Sequence, residues 1–321
     1  MNLLSLLSAR SSVSGEEIAR MMNISRAAVH KKIMRLRKQG YSITGKRNMG
    51  YSLLSRPDKI TREELLSVLP DGSMFAGDIN FYENIPSTQA KARERADAGA
   101  PEGALILAER QSGAYGRLGR AWESPEKGIW FSLLLRPPLL PENIPQVTLL
   151  CSLAVCRAME NVCAVTTGIK WPNDVLIEKK KVAGILIEMS AEIGKVNWVI
   201  AGIGINANND LPAELQPSAV SLNTVTGAPV NRAQLLASIL AQFELLYTVF
   251  RKEGFAPFRE EYNHRLTLLG KRVTLDCSGQ TFTGHVDSVT DEGHLRLNGD
   301  DGKTHNIIAG DVSLHGKLNG Y

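Results

Sequence analysis

No Cys-x-x-Cys pair occurs in this sequence, and its four cysteines, Cys151, Cys156, Cys163 and Cys277, form no zinc-type cluster with the six histidines. Three of the four crowd into one apolar, helix-patterned stretch, which points to reduced core side chains rather than a disulfide framework. Long apolar runs are also missing: none reaches the roughly 18 residues that would cross a bilayer. The first residues lack the basic region, apolar stretch and small-residue cleavage site of a secretory signal, so the expected location is cytoplasmic, with no membrane partner. Two nucleotide motifs are incomplete. Gly202-Ile-Gly204-Ile-Asn206 has no third glycine opening a helix, as a dinucleotide fold requires. Gly302-Lys303-Thr304 ends like a Walker loop, but the required earlier glycine falls at Leu297.

What is present has ordinary globular proportions, 43% hydrophobic and 22% charged residues, and a length of 321 that suggests two or three domains. The net charge of +4 hides an asymmetry. Residues 1–56 carry 11 Lys/Arg against 2 Asp/Glu, whereas the remainder carries 26 against 31. A basic block at one end of an otherwise acidic chain suggests contact with a polyanion.

Within that block, Ser14-Gly15-Glu16-Glu17 has the form of a capping box and opens a helix to about Met22. Asn23-Ile24-Ser25 breaks it, and Ser25 caps a second helix from Arg26 to about Lys38. There Val29, Ile33 and Leu36 make one core-facing stripe and Arg26, His30, Lys31 and Arg35 point elsewhere. Gly40 ends this helix, and residues 41–54 read as a hairpin with a basic tip at Gly45-Lys46-Arg47-Asn48. Two short helices, a tight turn and a hairpin predict a winged helix-turn-helix. Its second helix would lie in the major groove with its wing on phosphate, making Ser25, Arg26, Ala27, His30, Lys31, Arg35, Lys46 and Arg47 the expected DNA-binding residues. A helical protein-interaction unit is the alternative, but it does not call for a one-sided basic helix.

After a Pro-containing linker at 55–58, short strands at 104–108, 130–135, 183–189 and 198–205, and a helix from Val147 to about Val162, predict an α+β domain with a mostly antiparallel or mixed sheet. Three segments carry candidate chemistry. Gln111-Ser-Gly113-Ala-Tyr115-Gly116-Arg117-Leu-Gly119-Arg120-Ala-Trp122 interleaves glycines, which let backbone approach a ligand, with arginines suited to carboxylate or phosphate. Lys170-Trp171-Pro172-Asn173-Asp174 is followed by Lys181-Val182-Ala183-Gly184-Ile185-Leu186-Ile187-Glu188, where Lys181 is placed just before a strand that could hold it rigidly over a site. The third is Gly202-x-Gly204-x-Asn206. Beyond residue 269, short alternating strands separated by Gly/Asp turns predict a small β barrel.

In their order and spacing these segments, with Ser87-Thr88 near the domain start, resemble the bifunctional biotin–protein ligases, also called biotin operon repressors, over essentially the whole chain. The resemblance implies a winged helix-turn-helix at 1–56, an α/β catalytic domain with a mixed, class II synthetase-like sheet at 57–268 and an SH3-like domain at 269–321. It implies the activity of a biotin–[acetyl-CoA-carboxylase] ligase: biotin and ATP, with Mg2+, give biotinyl-5′-AMP, and biotin then passes to a lysine of a biotin carboxyl carrier protein. It also implies a repressor of genes for biotin synthesis or uptake, which dimerises on operator DNA with biotinyl-5′-AMP as corepressor. Ser87, Thr88, Gln89, Gln111, Tyr115, Gly116, Arg117 and Lys181 are the implied biotin contacts, and Lys181 and Arg117 the catalytic cations. Lys170, Asn173, Asp174 and Asn206 belong to the nucleotide or magnesium vicinity, with Asp174 as the metal contact. Two alternatives stand beside this: a lipoate or octanoate transferase of the same catalytic fold, and a ligand-sensing repressor whose ligase activity has decayed. The loop departs from the usual Gly-Arg-Gly-Arg-x-Gly, with Ala114 for the first glycine and Tyr115 for the first arginine. Alanine resists positive φ, so loop closure and retention of the adenylate are the properties this departure touches.

Overall fold

Polar caps start the N-terminal helices of the computed structural model, which describes residues 2–46, 50–277 and 279–313. Asn2 caps α1 (Leu3–Ser8), Ser14 caps α2 (Gly15–Met22) through the Glu17 amide, and Ser25 caps α3 (Arg26–Lys38) through the Ala28 amide. Sequence patterning missed α1, whose Leu3, Leu4, Leu6 and Leu7 are all buried; six residues are too few for a helical period to stand out. The hairpin follows as β1 (Ser42–Lys46) and β2 (Gly50–Ser55). Val29, Ile33 and Leu36 join Leu4, Ile18, Tyr41 and Ile43 in one small core.

A polar joint attaches this unit to the rest. It centres on α4 (Arg62–Val68), capped by Thr61. Glu64 is almost fully buried there; it accepts the Tyr41 hydroxyl at 2.8 Å and pairs with Arg56. Arg35 also turns to this joint and pairs with Glu63 at 2.9 Å, away from the exposed N-terminal turn of α3 that carries Arg26, Ala27, His30 and Lys31.

The central sheet has seven strands in the order β3 (Ile79–Ile85), β4 (Leu105–Gln111), β5 (Ile129–Leu135), β9 (Lys195–Ile205), β8 (Lys180–Glu192), β7 (Asp174–Ile177), β6 (Gly168–Lys170). Only β3 and β4 pair in parallel, so the expected mixed sheet is present. One face is covered by α6 (Pro145–Cys163) and α8 (Arg232–Glu253), packed together over Phe131, Leu133, Val199, Ala201 and Ile203. Although α8 has the length and apolarity of a membrane span, its Leu235, Leu236, Ile239, Leu240, Phe243 and Phe250 are spent on this core. The other face meets α5 (Thr88–Asp97) through Ala92, Ala96, Ile106, Leu134 and Ile200. Residues alternate between faces along a strand. Ser132, Gly202 and Gly204 therefore share the α5 face with Ile200, and Gly184, opposite Gly204, lies beside them.

The remaining helices are α7 (Leu222–Thr226) and α9 (Arg259–Arg265). The chain ends in a five-stranded antiparallel sheet, β10 (Arg272–Cys277), β11 (Gln280–Val289), β12 (Leu295–Gly299), β13 (Thr304–Ile307) and β14 (Asp311–Ser313). Its apolar face, Val273, Leu275, Val286 and Leu297, is continuous with the central core. None of the four cysteines is paired, and burial pushes the Cys156 thiol up to about 12.

Candidate active site

A cavity of about 900 Å3 opens on the α5 face where that helix stops covering the sheet, a size ordinary for a small-molecule site. Its floor is made by the glycines of two sequence motifs. A Cβ at Gly204 would stand 2.5 Å from the Trp122 indole nitrogen, one at Gly202 would meet Gln89 Oε1 at 2.2 Å, and one at Gly184 would press on Lys181 and Trp122. These glycines let side chains lie flat against the sheet; they do not turn a backbone around phosphate.

Ser87, Thr88, Gln89, Gln111, Tyr115, Gly116, Arg117, Lys170, Asn173, Asp174, Lys181 and Asn206 all line this one cavity. At one end Ser87 caps α5 through the Ala90 amide. The Thr88 amide donates to Gln111 Oε1 at 2.7 Å, and the Ser132 hydroxyl donates to Thr88 Oγ1 and Gln89 Oε1. Gln89 Nε2 in turn donates to the Ile200 carbonyl, and Gln111 Nε2 to Ser124 Oγ at 3.0 Å. This small, buried, fully connected polar cluster is set in apolar walls.

Lys181 lies at the other end. It is the second residue of β8 rather than the residue before the strand, and its amide donates to the Ser218 carbonyl. Its Nζ stands 2.6 Å from Asp174 Oδ1 and 5.0 Å from the Trp122 ring centre. Asn173 is fixed on β8 by exchanging hydrogen bonds with Ile185, and Asn173 Oδ1 accepts from Arg117 at 3.3 Å. Arg117 also donates to the Gly310 carbonyl at 3.0 Å, so the C-terminal sheet supports the Gly/Arg loop, with Lys271 and Val312 at the cavity wall. Asn206 is buried, and its side-chain oxygen accepts from Asn209. The stretch 208–226, loop-like in composition, has two parts. Residues 211–219 border the cavity beside Lys181, whereas Asn208 and Asn209 are buried and bonded and the end forms α7.

Trp122, Ser132, Glu188 and Arg93 are functional candidates that sequence reasoning passed over as individuals. Trp122 and Glu188 stood inside noted motifs, but Ser132 and Arg93 carry no local signal, since only folding brings them to the site. On the DNA-facing side, Arg47 lies outside the described residues, and so does the side chain of Lys46.

Residues 81–206 match the biotin/lipoate A/B protein ligase family, residues 1–52 an HTH domain and residues 268–315 the biotin protein ligase C-terminal domain. The bifunctional ligase/repressor BirA of Bacillus subtilis is 38% identical over 94% of both chains. The chain belongs to the bifunctional biotin–protein ligase/repressor family. The biotin–[acetyl-CoA-carboxylase] ligase of Paracoccus denitrificans is 33% identical over 68% of this chain and 92% of its own. Among solved structures, the biotin protein ligase of Aquifex aeolicus in complex with biotin and ATP superimposes with a TM-score of 0.67. It is 30% identical and covers 74% of this chain and 98% of its own. For a ligase/repressor of this family the altered loop keeps an ordinary backbone at Ala114. The positive φ angles fall at Leu118 and Gly119, so the alanine meets no steric penalty.

Proposed function

We propose that this ligase/repressor activates biotin with ATP, transfers it to a lysine of a biotin carboxyl carrier protein in the cytoplasm, and represses transcription as an adenylate-bound homodimer. The supporting observation is the pairing, in one cavity, of a buried hydrogen-bonding cluster at one end with fixed cations at the other. Biotin has an ureido head, an apolar ring and a carboxylate tail. Ser87, Thr88, Gln89 and Gln111 take the head, while Gly116, Arg117 and Lys181 take the tail and the α-phosphate, with Tyr115 on the loop beside them. Lys170, Asn173, Asp174 and Asn206 border the nucleotide.

In the first step a carboxylate oxygen attacks the α-phosphorus, the bond to the β-phosphate oxygen breaks, and pyrophosphate leaves. Two anions must meet, and Lys181 and Arg117, positioned before substrate arrives, offset the charge that builds there. In the second step a carrier lysine amine attacks the acyl carbon and AMP leaves. Among the described residues no group of three or more acidic, histidine or cysteine side chains could hold a metal alone. The fit is instead to a magnesium ion borne by ATP phosphates, which needs only one or two protein carboxylates. Asp174 would be that carboxylate, and the ion would neutralise the leaving pyrophosphate.

Three units follow from this reading: DNA binding in 1–56, catalysis in 57–268 and a supporting C-terminal domain in 269–321. Ser25, Arg26, Ala27, His30 and Lys31 would face DNA, with the wing residues Lys46 and Arg47. Arg35, paired to Glu63, would serve the joint. The test is incubation of the protein and a carrier domain with ATP and Mg2+ plus biotin, lipoate or octanoate in turn. Biotinylated carrier is expected; labelling with lipoate or octanoate instead, or no labelling, would overturn the ligase assignment.

A further inference from the structure

Between its anchored ends, at Gln111 and Trp122, the Gly/Arg loop is tied to the rest of the protein at two further places. Arg117 makes the first, with Asn173 and Gly310. The second is at the rim. The Tyr115 hydroxyl donates to Glu188 Oε1 at 2.9 Å and accepts from Arg93 Nη2 at 3.0 Å, and the same Arg93 nitrogen pairs with Glu188 Oε2 at 2.5 Å. The triangle joins three elements distant in sequence: the loop, α5 and β8. Between these contacts the loop closes on itself, with Gly116 N–H to the Arg120 carbonyl and Trp122 N–H to the Ala114 carbonyl. Seating the Tyr115 ring therefore also positions Arg117 and Trp122.

We infer that Tyr115 is a positioning residue, which through Glu188 and Arg93 holds the Gly/Arg loop over the cavity before any ligand binds. An arginine at this position would set a second cation beside Arg93. A phenol instead gives Glu188 a donor and Arg93 an acceptor, so each of the three groups has a partner within the protein. Burial first, and then the Glu188 carboxylate, raises the Tyr115 phenol above its ordinary value, so it remains a hydroxyl donor at working pH. In the free protein the clasp would then meet part of the ordering cost of the loop. Taken with the proposed activity, this makes the clasp a brake on escape of the reactive adenylate.

The test begins without ligand. The full chain is digested briefly with trypsin, and cleavage after Arg117 and after Arg120 is followed by mass spectrometry against cleavage elsewhere. Tyr115→Phe, which keeps the ring and removes both hydroxyl bonds, is expected to speed cleavage at these two bonds roughly tenfold, the weight of a hydrogen bond to an ionised partner. Arg93→Met should do the same, with the melting temperature of both variants unchanged. Wild-type cleavage rates in both variants would overturn the clasp. Release of preformed biotinyl-adenylate is the second readout, expected to quicken in both; quickened proteolysis with unchanged release would overturn the brake. A protein that makes no adenylate at all would remove the proposed activity, while the proteolysis would still decide the clasp.

Discussion

Lys181 is held from two sides, by the Asp174 carboxylate and by the face of Trp122, and the glycine at 184 leaves room for its side chain to lie along the sheet. Its charge is therefore placed before substrate enters. Lys181→Ala is expected to slow adenylate formation about a hundred- to a thousandfold, the usual cost of losing one preorganised charge-stabilising group. Pyrophosphate release measured beside a thermal melt checks this: near-wild-type turnover would make Lys181 an ordinary wall residue. Arg117 acts from the loop. Arg117→Gly removes the links to Asn173 and Gly310 together with the proposed anion contact, and should free the adenylate sooner. Non-specific biotin labelling of bystander proteins in the same tube reads that escape, and unchanged labelling would show that the loop does not retain the intermediate. At this scale most site residues were legible because short motifs carried them. The clasp was not, because Arg93 and Glu188 are 95 positions apart and meet only through their long side chains once the chain is folded.

Among the elements, α2, α3 and α6 were readable, and so were β4, β5, β8 and β9; the short β6 and β7, the edge strand β3 and the capped α1, α5 and α8 were not. The connections that hold elements together were not. A chain of ion pairs joins α6 to α9: Arg265 pairs with Glu160 and Glu261, and Arg157 makes a two-pronged contact with Glu261. Burial alone would raise both carboxyls, but the arginine contacts, with Thr167 on Glu160, outweigh it and hold both below the ordinary 4.5. A carboxylate with a depressed value in the fold stabilises it above the unfolded-state value and loses that contribution as pH falls through the folded one. Stability should therefore be level near neutrality and decline below about pH 4.5. Arg265→Met should flatten that acid decline, seen as urea midpoints between about pH 6 and pH 3; an unchanged slope would exclude this network as its source.

For the whole molecule, one winged helix meets one half-site, and tight specific binding needs two held by a two-fold axis. The basic block of residues 1–56 supplies charge for DNA but no obvious dimer helix, so in the proposed homodimer the pairing surface would lie on the catalytic unit. Operator DNA should bind more tightly when biotin and ATP are present, with added carrier domain competing against dimer formation. Binding should also weaken steeply with salt as phosphate contacts release counterions. A gel shift with and without biotin plus ATP, repeated with carrier, measures all three. Equal operator affinity in the two states would leave a ligase with a constitutive DNA tether.

The linear sequence by itself determined the order of units, the unpaired cysteines, the helix-turn-helix and twelve of the residues that line the cavity. Those features rest on local periodicity, capping chemistry and motifs whose members are near neighbours in the chain. Only the tertiary structure decided that Arg35 faces the joint at Glu63, that Ala114 needs no positive φ, and that three glycines form a bare floor under Trp122 and Lys181. It also decided what Tyr115 does in place of an arginine. Each of these depends on which groups packing brings within hydrogen-bond or van der Waals reach, and separation along the chain does not encode that distance.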